Sequence, residues 1–213
     1  MSEDTKTIKV ALIGDSGVGK SSIALRYTTN EFDVNYMSTN GAAYSNKIVK
    51  RDDETLQLDI WDTAGQERFR SLGRNFYKDA FIVILVYDIT RPESFKSLKE
   101  IWYEELKQHG EDQPVIAVVG NKSDQYENEN IVNEEEARKY AESVGGIFQQ
   151  VSAKTGSGIN DLFNECIDKY YELKFPEKVQ HIADRRKSTM LFRDDPNNVD
   201  NMIKTNGKKK KCC

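Results

Sequence analysis

Runs of apolar, β-branched residues recur along the chain at Ile8–Ile13, Ala43–Val49, Leu56–Trp61, Phe81–Tyr87, Val115–Val119 and Ile147–Val151. Leu56, Leu58 and Ile60 alternate with polar neighbours, the period-two pattern of a strand with one buried face. Arg51-Asp52-Asp53-Glu54 supplies a polar turn just before them, so the second and third runs read as a hairpin. The fourth and fifth runs are almost wholly apolar, as strands covered on both faces are. Helical periodicity fills the intervals at Ser21–Thr29, Pro92–His109, Asn133–Val144 and Gly158–Phe175. Pro92 suits a first helical position, and Asn133 followed by Glu136 predicts a cap with its reciprocal glutamate. Strands alternating with helices predict an α/β fold, a mainly parallel sheet with helices on both faces. Ligands of such sheets bind beyond the carboxyl ends of the strands, so the chemistry is expected in the loops that follow them.

Composition narrows the class. With 213 residues, 38% hydrophobic and 31% charged, the chain suits one domain and a tail. The longest apolar stretch, Ala80–Tyr87, is far too short to span a bilayer. Met1–Lys6 is polar and acidic, so no secretory leader is expected. Three cysteines, two of them the last two residues, make no disulfide framework, and Cys166 reads as a small core residue. These features predict a soluble intracellular domain. Of the 31 basic and 35 acidic side chains, ten and five fall from Pro176 onward, which leaves 21 and 30 before it. An acidic body lacks the basic footprint that nucleic acid demands. A basic tail on it suits a membrane surface.

The candidate chemistry begins directly after the first strand. Gly14, Asp15, Ser16, Gly17, Val18, Gly19, Lys20 and Ser21 spell G-D-S-G-V-G-K-S, which fits the phosphate-loop pattern at every defined position, with Ser22 next in the helix. Such a loop turns consecutive backbone N–H groups inward around a phosphate, and the helix N-terminus adds its positive dipole end. Lys20 would reach the β- and γ-phosphates, and Ser21 would offer its hydroxyl to Mg²⁺. After the third strand, Asp62 stands where a carboxylate can hold Mg²⁺, usually through a water. Gly65 would bring its N–H to a γ-phosphate, and Gln66 would orient the attacking water. After the fifth strand comes Asn121-Lys122-Ser123-Asp124. The Asp124 carboxylate can accept from N1–H and the exocyclic amine of guanine, which adenine does not offer, and paired polar recognition of that kind is highly selective. Ser152-Ala153-Lys154 follows the sixth strand, with the Ala153 N–H expected at the guanine O6.

With these residues in order, the chain resembles the Ras-like small GTPases and, within them, the Rab family. The likeness rests on G-D-S-G-V-G-K-S, Ser38-Thr39-Asn40-Gly41, W-D-T-A-G-Q-E-R-F over Trp61–Phe69, Phe76-Tyr77, N-K-S-D, S-A-K and the Cys-Cys ending. It implies a P-loop G domain with a six-stranded sheet, five helices and two loops that respond to the γ-phosphate. It further implies that Phe32 stacks on guanine, Tyr36 covers the phosphates and Thr39 ligates Mg²⁺. From the residues alone, Thr39 falls in an aperiodic loop and could be merely polar. Tyr44, Trp61 and Phe76 fall where Rab proteins carry effector-reading surface aromatics; from sequence alone they could equally be core. Asn40 and Tyr44 depart from the family's usual apolar β-branched residue and Phe. Ser38-Thr39-x-Gly41-Ala42-Ala43 is most similar to the early-endosomal Rab branch.

Residues 1–175 are thus expected to form the G domain and 176–213 a disordered tail, low in apolar content. Lys208–Lys211 precede Cys212-Cys213, an ending that resembles the Rab signal for two geranylgeranyl chains. Two lipids anchor stably where one is marginal. The expected protein is a membrane-anchored GTP/GDP switch of vesicle trafficking, early endocytic in its branch. It would sit on the cytoplasmic face of intracellular membranes, with a cytosolic GDP-bound pool. Its expected partners are an exchange factor, a GTPase-activating protein, a prenylation escort, a GDP-dissociation inhibitor and effectors, with no nucleic acid. Two other classes compete, an ATP-using P-loop enzyme and a scaffold that holds GTP without turnover.

Overall fold

A computed structural model describes residues 5–34, 39, 41–51, 54–63, 78–109, 114–126 and 131–177. By contacts the chain divides into two compact units, Met1–Tyr170 and Tyr171–Cys213. The first carries a six-stranded sheet made of β1 (Lys6–Ile13), β2 (Ala42–Arg51), β3 (Glu54–Thr63), β4 (Ile82–Asp88), β5 (Val115–Asn121) and β6 (Ile147–Gln150). All six apolar runs are strands, in the spatial order β2-β3-β1-β4-β5-β6. β2 and β3 pair antiparallel, as the hairpin pattern predicts, and every other pair is parallel. β4 lies between β1 and β5, and all seven of its residues are buried, which is why its sequence shows no alternation.

Among the described residues the α-helices are α1 (Lys20–Thr29), α2 (Pro92–Ser97), α3 (Tyr103–His109), α4 (Glu134–Ser143) and α5 (Ile159–Lys174). The run expected as one helix over Pro92–His109 is broken by a widened π-helical turn, Leu98–Trp102. Val83, Leu85 and Tyr87 of β4 share one buried cluster with Phe95, Leu98, Trp102, Leu106, Ala137 and Ala141. The neighbouring β4 residues Ile82, Ile84 and Val86 face the opposite side by the strand's alternation. Tyr27 of α1 stacks on Phe163 of α5, with centroids 3.6 Å apart. Cys166 is fully buried, as expected of a core residue. Asn133 caps α4 by accepting from the Glu136 N–H at 3.0 Å. The Glu136 carboxylate, expected to reach back to the cap, instead takes the Lys99 ammonium at 2.9 Å, a charged donor that outcompetes a backbone N–H. In the second unit, the Tyr171 and Phe175 rings lie 5.6 Å apart. No helix among the described residues is long and apolar enough to cross a membrane.

Parallel pairing aligns the strand ends that matter. Leu12 sits opposite Asp62, Ile13 opposite Leu85, Asp88 opposite Asn121 and Gly120 opposite Gln150. Residues far apart in sequence therefore leave the sheet along one edge.

Candidate functional site

The loops at that edge enclose a cleft of about 560 Å³, ample for a nucleotide. One end is lined by Gly17, Gly19, Lys20, Ser21 and Thr39, the other by Phe32, Lys122, Asp124 and Ala153. Two glycines are dictated by crowding. Gly14 has φ +144°, and a Cβ there would lie 2.2 Å from the Val86 carbonyl oxygen. Gly19 has φ +98°, and its Cβ would lie 2.2 Å from Asn121 Nδ2. Neither conformation nor space admits a side chain.

Lys20 is buried and donates to the Gly14 and Asp15 carbonyls, each at 2.9 Å. Burial lowers its pKa to about 8, against the pull of Asp62 and Asp15, with Arg91 adding to the depression. A cation held in so dry a place is ready to receive phosphate oxygens, which would restore its ordinary basicity.

Ser21, Thr39 and Asp62 come together from α1, a loop and the end of β3. The Ser21 and Thr39 hydroxyls are 2.8 Å apart and lie 2.5 and 3.0 Å from Asp62 Oδ2. Asp62 is buried, and its Oδ1 has no hydrogen-bond partner. Burial raises its pKa, opposed by the Ser21 bond, the Lys20 charge and the Thr39 bond. Two hydroxyls and a carboxylate with an unpartnered buried oxygen form a hard, all-oxygen donor set. Such a set fits Mg²⁺, which takes one or two protein oxygens, waters and phosphate oxygens. Among the described residues no group of three or more His, Cys, Asp or Glu is placed to bind metal.

At the other end, Asp124 accepts from Ser152 Oγ at 2.6 Å and lies 3.7 Å from Lys154 Nζ. Lys122, in the left-handed conformation, pairs with the buried Asp88 at 2.6 Å. Burial alone would push the Asp88 pKa up, but Lys122 and two bonds from Thr90 outweigh it and hold it below the ordinary value. Asn121 ties the two ends together. Its Nδ2 donates to the Val18 carbonyl at 2.9 Å, and its Oδ1 accepts from the Ala153 N–H at 3.2 Å. The Ala153 N–H, expected at a guanine oxygen, thus bonds Asn121 here.

Sequence reading missed the residues that brace these loops. Arg26 of α1 donates to the Ala153 and Lys154 carbonyls, both at 2.8 Å. Thr63 holds the Leu12 carbonyl at 2.7 Å. Arg91 donates to the Ser16 carbonyl at 2.9 Å, and Trp102 Nε1 donates to Asp15 at 2.8 Å. The local signals were an arginine in the last turn of α1 and the place of Thr63 inside the Trp61–Phe69 motif.

Tyr44 and Trp61 are cross-strand partners whose rings lie 5.2 Å apart. Tyr44 is 48% exposed and donates to Asp59 at 2.8 Å, so this pair belongs to the surface. Tyr36, Asn40, Gly65, Gln66, Phe76, Cys212 and Cys213 lie outside the described residues.

Residues 9–172 match the sequence model of the Ras family. The chain is 45% identical over 160 residues to Ras-related protein Rab-22A of Homo sapiens, covering 75% of this chain and 81% of that protein. It is 44% identical to Ras-related protein Rab-31 of Mus musculus over 158 residues, 74% and 80% of the two chains. Ras-related protein Rab5 of Nicotiana tabacum is 44% identical over 157 residues, 74% and 78%.

Proposed function

The chain belongs to the Ras family as a Rab-type GTPase that hydrolyses GTP, and from that premise we propose which residues perform each part of the switch. The observation that carries the assignment is the single cleft joining Lys20, Ser21 and Thr39 at one end to Asp124 at the other, with Asp62 hydrogen-bonded to both hydroxyls. That lining suits a triphosphate with its metal and a base.

Gly14 to Ser22 hold the phosphates through backbone N–H groups, and Lys20 neutralises the β- and γ-oxygens. Ser21, Thr39 and Asp62 would hold Mg²⁺, which would supply neutralisation of phosphate charge. Gln66 orients the attacking water, while Thr39 and Gly65 sense the γ-phosphate. Tyr36 covers the phosphates and Phe32 stacks on the base. Asp124 reads guanine, with Asn121, Lys122, Ser152, Ala153 and Lys154 around it. Loss of the γ-phosphate removes the bonds to Thr39 and Gly65, and effectors that read Tyr44, Trp61 and Phe76 then dissociate.

The G domain spans residues 1–175, and 176–213 is a tether. Cys212-Cys213 is the prenylation signal, and Lys208–Lys211 add attraction to anionic lipid, about 1 kcal/mol each. The setting is the cytoplasmic face of early endosomes, supported by the Ser38–Ala43 segment. An exchange factor, a GTPase-activating protein, a prenylation escort and a GDP-dissociation inhibitor act on it. Imaging the N-terminally tagged Gln66→Leu chain against a timed endocytic tracer tests the setting. Overlap within the first minutes supports it; consistent absence discards the early-endosomal step and leaves the GTPase.

A further inference from the structure

The phosphate loop is held on its outer side by one segment of chain. Arg91, just before α2, donates Nη2 to the Ser16 carbonyl at 2.9 Å, and its Nη1 lies 3.8 Å from where a Gly17 Cβ would stand. Trp102, at the end of the π-helical turn, donates Nε1 to Asp15 Oδ1 at 2.8 Å. Both anchors are built rather than incidental. Trp102 is only 3% exposed and packs in the cluster with Val83, Leu85 and Phe95. The turn that carries Arg91 is closed by the bond from its N–H to the Asp88 carbonyl at 3.0 Å. Ser94 Oγ then donates to the Arg91 carbonyl at 2.7 Å. A π-helical turn admits an extra residue and recurs at functional sites; here the last residue of the turn carries the indole that reaches the loop.

We propose that Arg91 and Trp102 are positioning residues of the nucleotide site. Through the Ser16 carbonyl and the Asp15 carboxylate they hold the phosphate loop so that its inward N–H groups keep their aim, and so set the lifetime of bound nucleotide. The inference rests on guanine-nucleotide binding in this cleft. Neither residue needs to touch the nucleotide; each acts through Asp15 or Ser16.

Release of a fluorescent GDP analogue from the loaded full-length chain tests it. Trp102→Phe keeps an aromatic ring and removes the N–H. Arg91→Met keeps an apolar stem and removes the donor. Each is expected to release the analogue about 3- to 10-fold faster, the effect of one lost hydrogen bond. Asp15 separates bracing from charge. Asp15→Ala removes a negative charge near the phosphates, which by electrostatics alone would slow release, whereas loss of the brace speeds it. Combined with Trp102→Phe, Asp15→Ala is expected to speed release no further, since both remove the same bond. Leu106→Ala, in the same buried cluster but with no bond to the loop, lowers melting temperature without speeding release. Release from Trp102→Phe and Arg91→Met within twofold of the parent, or simple additivity with Asp15→Ala, overturns the proposal. A parent chain that retains no GDP overturns the guanine-nucleotide assignment itself.

Discussion

Asn121 offers the sharpest test of how the two ends of the cleft are joined. The side chain is 1% exposed and makes two bonds, to the Val18 carbonyl at 2.9 Å and from the Ala153 N–H at 3.2 Å. Asn121→Ala removes both and leaves a carbonyl and an N–H buried without their partner. A lost neutral bond costs about 1 kcal/mol net, and an orphaned buried group about 1–3 kcal/mol. Allowing for water entering the gap, the total is about 2–4 kcal/mol. At tenfold per 1.4 kcal/mol, a loss borne entirely by the bound form lowers guanine-nucleotide affinity by about 30- to 1,000-fold. Titration calorimetry with GDP measures the loss, and melting of the loaded and unloaded chains shows how much is binding and how much is folding. Asn121→Asp keeps the acceptor for Ala153 but turns an oxygen toward the Val18 carbonyl, so it is expected to bind no better than the alanine variant. GDP affinity within threefold of the parent for Asn121→Ala would refute the reasoning, because the brace would then be idle.

Asp124→Asn is expected to shift preference from guanine toward xanthine nucleotides, read by competition binding; unchanged guanine preference would assign base recognition elsewhere. Intrinsic GTP turnover, measured by phosphate release, is expected at about 10⁻⁴ to 10⁻³ per second, and Gln66→Leu is expected to abolish its stimulation by an activating protein. Gly14→Ala drives a Cβ to 2.2 Å from the Val86 carbonyl, so loss of nucleotide binding and a destabilised fold are expected from melting and GDP titration. The Asp88–Lys122 pair gives a pH signature. Because the Asp88 pKa is held below its ordinary value of 3.8, its contribution is present above that value and lost as pH falls through the folded one. Asp88→Asn is therefore expected to cost about 1.5–3 kcal/mol at neutral pH, the worth of a charged hydrogen bond. Chemical denaturation of both chains should show that difference shrinking below pH 4; a difference independent of pH would assign it to packing.

What was legible in the sequence follows from where each signal resides. β4 and β5 could be read because a strand buried on both faces must be apolar at every position, and Ile82 to Val86 are. The hairpin of β2 and β3 could be read because Leu56, Leu58 and Ile60 turn inward while their neighbours do not. Ser21, Asp62, Asn121 and Asp124 could be read because each stands in a short pattern at a strand or loop end. Tyr44 and Trp61 could not be assigned to surface or core from pattern alone, since an aromatic on a half-covered sheet looks the same in sequence as one inside it. The π-helical turn was invisible as well. Pro92 to His109 has acceptable helical periodicity, and one extra residue in a turn leaves no mark on that period.

The braces explain why a motif can specify a ligand without specifying how tightly it is held. Trp102 and Asp15 are 87 residues apart, Asn121 and Val18 are 103, and Arg26 and Ala153 are 127. None of these pairs leaves a periodic trace, because the parallel sheet makes them neighbours only after β1, β4, β5 and β6 align at one edge. The phosphate loop's own residues determine that amides face inward. Arg91, Trp102 and Asn121, donating to Ser16, Asp15 and Val18, determine whether the loop keeps that shape once the phosphate is gone. Affinity for the nucleotide, and the rate at which an exchange factor must overcome it, then depend on Arg91 and Trp102, which lie outside every motif, as well as on Asn121 within one.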